Sequence, residues 1–76
     1  MDLVAVEWFD AVANDEWLSL DDAISLEPQK ITTIGWLIHD DDFKIIVAAS
    51  KDDDNSQLGN TWCIPKVWTV AIEKIR

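Results

Sequence analysis

Hydrophobic and polar residues alternate in several short runs along this chain, which is the pattern of half-buried β-strands. The first run covers residues 3–9, where Val4, Val6 and Trp8 fall on one face. These residues are β-branched or aromatic, and such side chains fit a pleated surface well. The run therefore predicts a first strand with one buried face.

Two longer runs follow in the middle of the chain, at residues 30–39 and 43–50, separated by the acidic turn Asp40–Asp42. Two alternating runs joined by a short polar turn predict a β-hairpin. In the first of them, Ile34 and Trp36 are predicted to face the core. Gly35 lies inside this run and indicates a bulge or a sharp bend.

The remaining strands are predicted near the C-terminus. Residues 51–60 are polar and are expected to form a loop, followed by a short strand at 61–64. Pro65 has no N–H group to donate, so a single tight helical turn is expected there. The last strand is predicted over residues 68–75, with its apolar positions Trp68, Val70 and Ile72 facing inwards.

One short helix is predicted between the first and second strands. Ser19 has the position of an N-cap, and Asp22 occupies the third helical position. The helix is expected to cover about residues 20–26 and to end before Pro28, because the residue before proline avoids the α region. Two turns of helix are marginal alone, so packing of its apolar side chains against the sheet is expected.

These elements predict one mostly β domain over residues 1–76: a five-stranded, strongly bent antiparallel sheet or small β-barrel with one short helix after the first strand. An open α+β sheet with the helix packed on one face is the alternative. A chain of 76 residues buries only about 60% of its unfolded surface on folding. Five tryptophans supply much of the available apolar area.

Charge narrows the range of partners. The chain has 15 acidic and six basic side chains, for a net charge of −9. Such a charge repels nucleic-acid phosphates and anionic membranes and attracts a basic protein. The sequence shows no apolar run long enough to span a membrane and no basic leader after Met1. Its single cysteine, Cys63, is typical of proteins in a reducing compartment. A cytoplasmic location is therefore expected.

The C-terminal half resembles the small SH3-like and Sm-like barrels over about residues 30–75. The similarity lies in the strand order, in Ile64-Pro65-Lys66, and in a last strand that reads Val-Trp-Thr-Val-Ala-Ile. It implies a one-turn helix between the fourth and fifth strands. It also implies an oligomeric, RNA-binding ring, in which the fourth strand of one subunit pairs with the fifth of the next. The Arg-Gly or Lys-Gly RNA-contacting signature of Sm-like proteins has no counterpart here.

The whole chain also resembles small uncharacterised proteins of tailed phages and marine viral metagenomes. The matching segments are Val-Glu-Trp-Phe-Asp-Ala near the start, Gly35-Trp36-Leu37-Ile38 in the middle, and Ile64-Pro65-Lys66 near the end. This resemblance implies a phage-encoded protein acting in the host cytoplasm, and it implies no activity.

The candidate chemical groups favour structural interpretations. Asp52, Asp54 and Ser56 have the spacing of a calcium loop, but Gln57 replaces its glycine and Cys63 its bidentate glutamate, so a solvated turn is favoured. No metal or cofactor is therefore predicted.

Two further residue types, histidine and cysteine, are candidates for catalysis. His39 could form a hydrolytic triad with Ser50 or Ser56, but the chain has no nucleophile elbow, and a surface histidine is favoured. Cys63 is predicted to be a buried, inert thiol. An unmarked carboxylate pair would make a small hydrolase, which is the least favoured alternative.

Several predicted strands are apolar on both faces, and a small barrel has only one interior. The helix is expected to cover part of the outer face, and the remainder would be an exposed apolar patch of the kind that marks an interface. We therefore predict a closed homo-oligomer in the form of a ring. Its predicted interface residues are Ile31, Leu37, Ile46, Trp62, Ala71 and Ile75. The predicted function is a non-enzymatic, self-associating interaction module, and the alternative is an Sm-like RNA-binding ring.

Overall fold

The computed structural model describes all residues from Met1 to Arg76 and contains one antiparallel sheet of five strands. The elements in chain order are β1 (Leu3–Asp10), α1 (Leu20–Ile24), β2 (Gln29–Asp40), β3 (Lys44–Lys51), β4 (Leu58–Pro65), a 3₁₀ turn (Lys66–Trp68) and β5 (Thr69–Lys74). Their order across the sheet is β4-β3-β2-β1-β5, so β4 and β5 are free edges and the sheet is not closed. The prediction of a mostly β, five-stranded antiparallel architecture is confirmed.

The strand boundaries agree with the sequence prediction except near β4 and β5. β4 begins at Leu58 instead of residue 61, because Leu58 and Gly59 pair with the end of β3 despite their loop-like composition. Trp68 belongs to the 3₁₀ turn, so β5 begins one residue later than predicted. The single turn of helix expected around Pro65 is confirmed.

The core is small and lies on one face of the sheet. Only eight of the 76 residues are buried. Val4, Val6 and Trp8 share the buried face of β1, as predicted. The core cluster is completed by side chains from β3 and β4, namely Ile45, Val47 and Ile64.

Trp8 lies at the centre of an aromatic cluster that joins both edges of the sheet. Its indole Nε1 donates a hydrogen bond to Thr33 Oγ1 at 2.9 Å. Its ring stacks on Trp68 with centroids 6.5 Å apart and tilts against Trp62 at 6.1 Å. In a flat sheet β1 and β4, three strands apart, would be separated by about 14 Å. Trp8 and Trp62 therefore make contact across the two strands that lie between them.

The predicted inner face of β2 is wrong. Trp8 pairs with Ile31 and Val6 with Thr33, so the odd-numbered residues of β2 up to Leu37, where the register with β3 shifts, share the core face of β1. Ile31 and Leu37 accordingly pack against the core cluster, whereas Ile34 remains 57% exposed. Both faces of this strand are apolar, and only the register with β1 decides between them.

The helix forms where predicted but does not pack on the sheet. The Ser19 side chain accepts a hydrogen bond from the Asp22 backbone N–H at 3.1 Å, which confirms the N-cap. α1 ends at Ile24, two residues early, and buries no residue. We call the connection between β1 and β2, residues 11–28, the arm; all of its residues are exposed. The expectation that the helix covers the sheet is therefore wrong.

Gly35 marks a close approach of two backbones. A Cβ atom at this position would lie 2.7 Å from the carbonyl oxygen of Ala48 in the neighbouring strand. The expected bulge lies slightly further along, where the β2–β3 register shifts between Leu37 and His39. Gly35 thus lets β2 and β3 approach each other just before the shift.

We predict that Gly35→Ala destabilises the fold by about 1–3 kcal/mol, because the added methyl group pushes the two strands apart. Gly59→Ala is the matched control, since a Cβ there meets only the Ser50 Cβ at 3.5 Å. Its effect should stay within about 0.5 kcal/mol. Urea denaturation at one fixed protein concentration measures both, and equal midpoints for the two variants would contradict the steric argument.

Candidate interaction surface

The acidic turn between β2 and β3 is organised by Asp41. Its Oδ1 accepts hydrogen bonds from the backbone N–H groups of Phe43 (2.8 Å) and Lys44 (2.9 Å), and its Oδ2 lies 2.7 Å from His39 Nε2. The hydrogen bond to His39, and then the two backbone hydrogen bonds, lower the pKa of Asp41 to about 2. This carboxylate therefore stabilises a tight turn.

The same turn is tied to the 3₁₀ turn. The Lys66 backbone N–H donates to the Phe43 carbonyl oxygen at 2.9 Å, and the Lys66 ammonium pairs with the Asp40 carboxylate. The chain thus crosses from the β4 edge to the β5 edge beside the β2–β3 turn. This crossing places Trp68 against Trp8.

The second acidic loop, between β3 and β4, satisfies its own backbone. Asp52 accepts hydrogen bonds from the N–H groups of Ser56 and Gln57 and from the Ser56 hydroxyl, at 2.8, 3.1 and 2.8 Å. These bonds, that from Gln57 first, lower the pKa of Asp52. Asp54 also accepts from the Ser56 N–H. The carboxylates with calcium-loop spacing thus cap a turn, and no group of three or more His, Cys, Asp or Glu side chains has a metal-binding arrangement.

The other candidate residues lie apart from one another. His39 contacts Asp41 in its own turn, whereas the Ser56 hydroxyl donates to Asp52 in the other loop. Cys63 is exposed, and the prediction of a buried thiol is wrong. It pairs with Ile46 on the face of edge strand β4 that points away from the core, where no second layer covers it.

The six predicted interface residues do not form one surface. Ile31 and Leu37 face the core, and Trp62 faces it from β4, where it remains 49% exposed. Ile46 and Ala71 lie on the opposite face of the sheet, as their pairing with Cys63 and Glu7 shows. Ile75 lies beyond β5 and is 51% exposed.

Both free edges carry exposed apolar side chains on the core face. Trp62 on β4 is half exposed, and on β5 Val70 and Ile72 are 55% and 38% exposed. Val70 and Ile72 were predicted to face a closed interior. They are exposed because no strand follows β5 across the sheet.

A cleft of about 340 Å³ lies where the arm joins the sheet. Its walls come from the end of β1, the base of the arm and the chain entering β5. The lining residues are Phe9, Asp10, Ala11, Pro28, Val67, Trp68, Thr69 and Val70. The lining is mainly apolar, and Asp10 is its one charged side chain.

Many of the exposed apolar side chains of the molecule lie together in one segment, the arm. Trp17 is fully exposed, and the others that are exposed are Val12, Leu18, Leu20, Ile24 and Leu26. The hydrogen bonds of the arm, such as those that cap α1, stay within it. Neither the arm nor the cleft was predicted, because a periodic pattern identifies a helix without indicating what it packs against.

No helix in the structure has the length and hydrophobicity required to cross a membrane.

Asp41 gives a prediction about acid stability. The pKa of its carboxyl is 3.8 in the absence of these contacts and about 2 in the folded chain. The stabilisation by this carboxylate should be complete above pH 3.8 and be lost as the pH falls through about 2.

We expect Asp41→Asn to be less stable than the wild type, by a margin that is fully present near pH 4 and closes as the pH falls towards about 2. Urea denaturation across this range measures the margin. Asp42→Asn is the control in the same turn, because Asp42 makes none of these hydrogen bonds. A margin for Asp41→Asn that does not change with pH would show that its charge is unimportant.

Comparison with known proteins found no match to this chain among protein-family models, curated proteins or solved structures. The arrangement of its own residues therefore carries the functional argument. That arrangement consists of two free sheet edges, an apolar cleft and an uncovered apolar arm.

Proposed function

We propose that this chain is a non-enzymatic, self-associating protein-interaction module whose copies cover one another's apolar surface. One observation carries the proposal. The chain has an accessible surface of 5792 Å² at a mass of 8.6 kDa, whereas a folded monomer of this mass has about 4,700 Å². The excess of about 1,100 Å² is comparable to the roughly 800 Å² that each partner buries in a stable interface.

The shape of the molecule supports the same proposal. Its radius of gyration is 15.7 Å, compared with about 11 Å for a compact chain of this length. Its extents of 53 × 21 × 20 Å describe an elongated body. An elongated chain with so small a core has little stability of its own, and association would supply the missing burial.

The free edges favour a closed ring of identical subunits. In the ring that the Sm-like resemblance implies, β4 of one subunit pairs with β5 of the next. Both strands lack a partner on their outer side. Unpaired edge strands readily pair with another chain, and Trp62 and Ile72 would add apolar contacts at such a junction.

A basic protein is the favoured further partner, and RNA is disfavoured. The net charge is −9, and three of the six basic side chains pair with carboxylates: Lys30 with Glu7, Lys66 with Asp40 and Lys74 with Asp2. Lys51 lies over the ring of Trp36, with Nζ 5.0 Å from its centroid. Few cations therefore remain for phosphates. A phage-encoded role in the host cytoplasm is part of this proposal.

Sedimentation velocity over about a hundredfold range of protein concentration tests self-association. We expect a mass that is a multiple of 8.6 kDa and that falls on dilution. A single-copy mass throughout would contradict the proposal. A salt-sensitive gel shift of single-stranded RNA would instead favour the RNA-binding alternative.

A lysine substitution on edge strand β4 distinguishes assembly through edge pairing from assembly through other contacts. Cys63→Lys places a charge on an exposed position of β4, and such charges block strand addition, so we expect the edge-paired assembly to dissociate. Thr32→Lys is the control, since Thr32 is exposed in the interior strand β2. Equal effects of the two substitutions would place the contact on the outer face of the sheet instead of its edge.

A further inference from the structure

We infer that the arm of one copy docks into the cleft of a second copy, so that neighbouring chains exchange arms. This inference rests on the proposed self-association and names two surfaces that would carry it. The arm supplies exposed apolar side chains that nothing covers in the single chain, and the cleft supplies a concave apolar surface that nothing fills.

The arm requires a surface on which to pack. α1 has only five residues, whereas isolated helices shorter than about 12–15 residues are marginal in water. Its Ser19 cap satisfies the backbone at one end but contributes no apolar burial. Trp17, Leu20 and Ile24 are 102%, 76% and 71% exposed, so docking would bury most of their surface.

The cleft has the size and lining that such side chains need. Its volume of about 340 Å³ lies within the range of about 300–1,000 Å³ found for binding pockets. Val67 and Val70 on its wall are 89% and 55% exposed, and Trp68, whose ring stacks on Trp8, is 41% exposed. An aromatic side chain such as Trp17 would cover these residues together.

A second copy is favoured over the arm's own cleft. Ala11 and Pro28, the two ends of the arm, form part of the cleft wall, so the arm leaves the sheet at the rim of the cleft. In the single chain the arm does not enter this cleft, since Trp17, Leu20 and Ile24 stay exposed and none of them lines it. Exchange between identical copies would instead bury the exposed side chains of each arm in the cleft of the other copy.

The excess surface agrees with a mutual exchange. Two copies that each lose the excess of about 1,100 Å² would bury about 2,200 Å² in total, which lies in the range of obligate dimers. Edge pairing alone would leave the arm exposed, since the arm lies outside β4 and β5.

Charge predicts how this contact responds to salt. The arm carries five carboxylates and no basic side chain, and Asp10 lies in the cleft wall. Docking of the arm therefore gains burial of apolar surface, and repulsion between the carboxylates of the arm and Asp10 opposes it. Added NaCl screens the repulsion, so the arm–cleft contact should tighten as salt rises. Binding of a basic protein would weaken instead.

Three variants test the inference by sedimentation. The arm variant Trp17→Ser/Leu20→Ser and the cleft variant Val67→Asp change side chains that are largely exposed, so the fold should be retained, as circular dichroism would show. Each should raise the dissociation constant at least about tenfold. Phe43→Ser is the matched control: Phe43 is 83% exposed but lies at the β2–β3 turn, outside both surfaces, and should leave the constant unchanged.

Mixing the two variants distinguishes exchange from docking within one chain. The arm variant keeps an intact cleft and the cleft variant an intact arm, so an equimolar mixture should form mixed assemblies that neither forms alone. Docking of each arm in its own cleft would produce no mixed species and would overturn the inference.

The remaining outcomes separate the two proposals. A wild-type chain that sediments as a single copy would overturn both. Assembly that survives both variants but is lost in Cys63→Lys would overturn arm docking and leave self-association standing. Loss in the arm variant without loss in Val67→Asp would overturn the cleft as the site that the arm occupies.

Discussion

The contact of Trp8 with Trp62 and Trp68 is the interaction on which the rest of the structure depends. It joins the two ends of a five-stranded sheet over one small core, and the hydrogen bond from its indole to Thr33 fixes the ring. The cluster anchors the chain between β4 and β5, together with the contacts of Lys66 to Phe43 and Asp40. The two edge strands β4 and β5 are not paired with each other.

The small core explains why so much apolar surface remains outside it. A 76-residue chain that buries eight residues has used its apolar side chains elsewhere: on the edges, around the cleft and along the arm. The polar groups, in contrast, are well satisfied. Asp41 and Asp52 cap the two acidic turns, and no buried side-chain nitrogen or oxygen lacks a partner. The fold is therefore locally complete in its hydrogen bonds and incomplete in its packing.

The local features could be predicted from the sequence, and the long-range ones could not. The alternation of apolar and polar residues identified the strands, and Ser19 identified the start of the helix. Each of these signals is contained within a few consecutive residues. The inner face of β2 depends on its pairing with β1, and both faces are apolar, so no pattern within the strand could choose between them.

The candidate site shows the same division between local and long-range information. Cys63 was expected to be buried because its neighbours are Trp62 and Ile64, but an edge strand has only one covered face. Its exposure is a property of sheet order, which the sequence around it does not encode. The cleft likewise joins segments from three parts of the chain, and no motif marks them in advance.

The two free edges of the sheet have a consequence for how many copies can join. β4 and β5 are different surfaces, so contact between them is head-to-tail, and the rotation between neighbours determines whether a chain of subunits closes or grows into a filament. Every added copy brings nine further negative charges close to those already present. In the self-association proposed above, this accumulating repulsion would disfavour long filaments and favour small, closed assemblies.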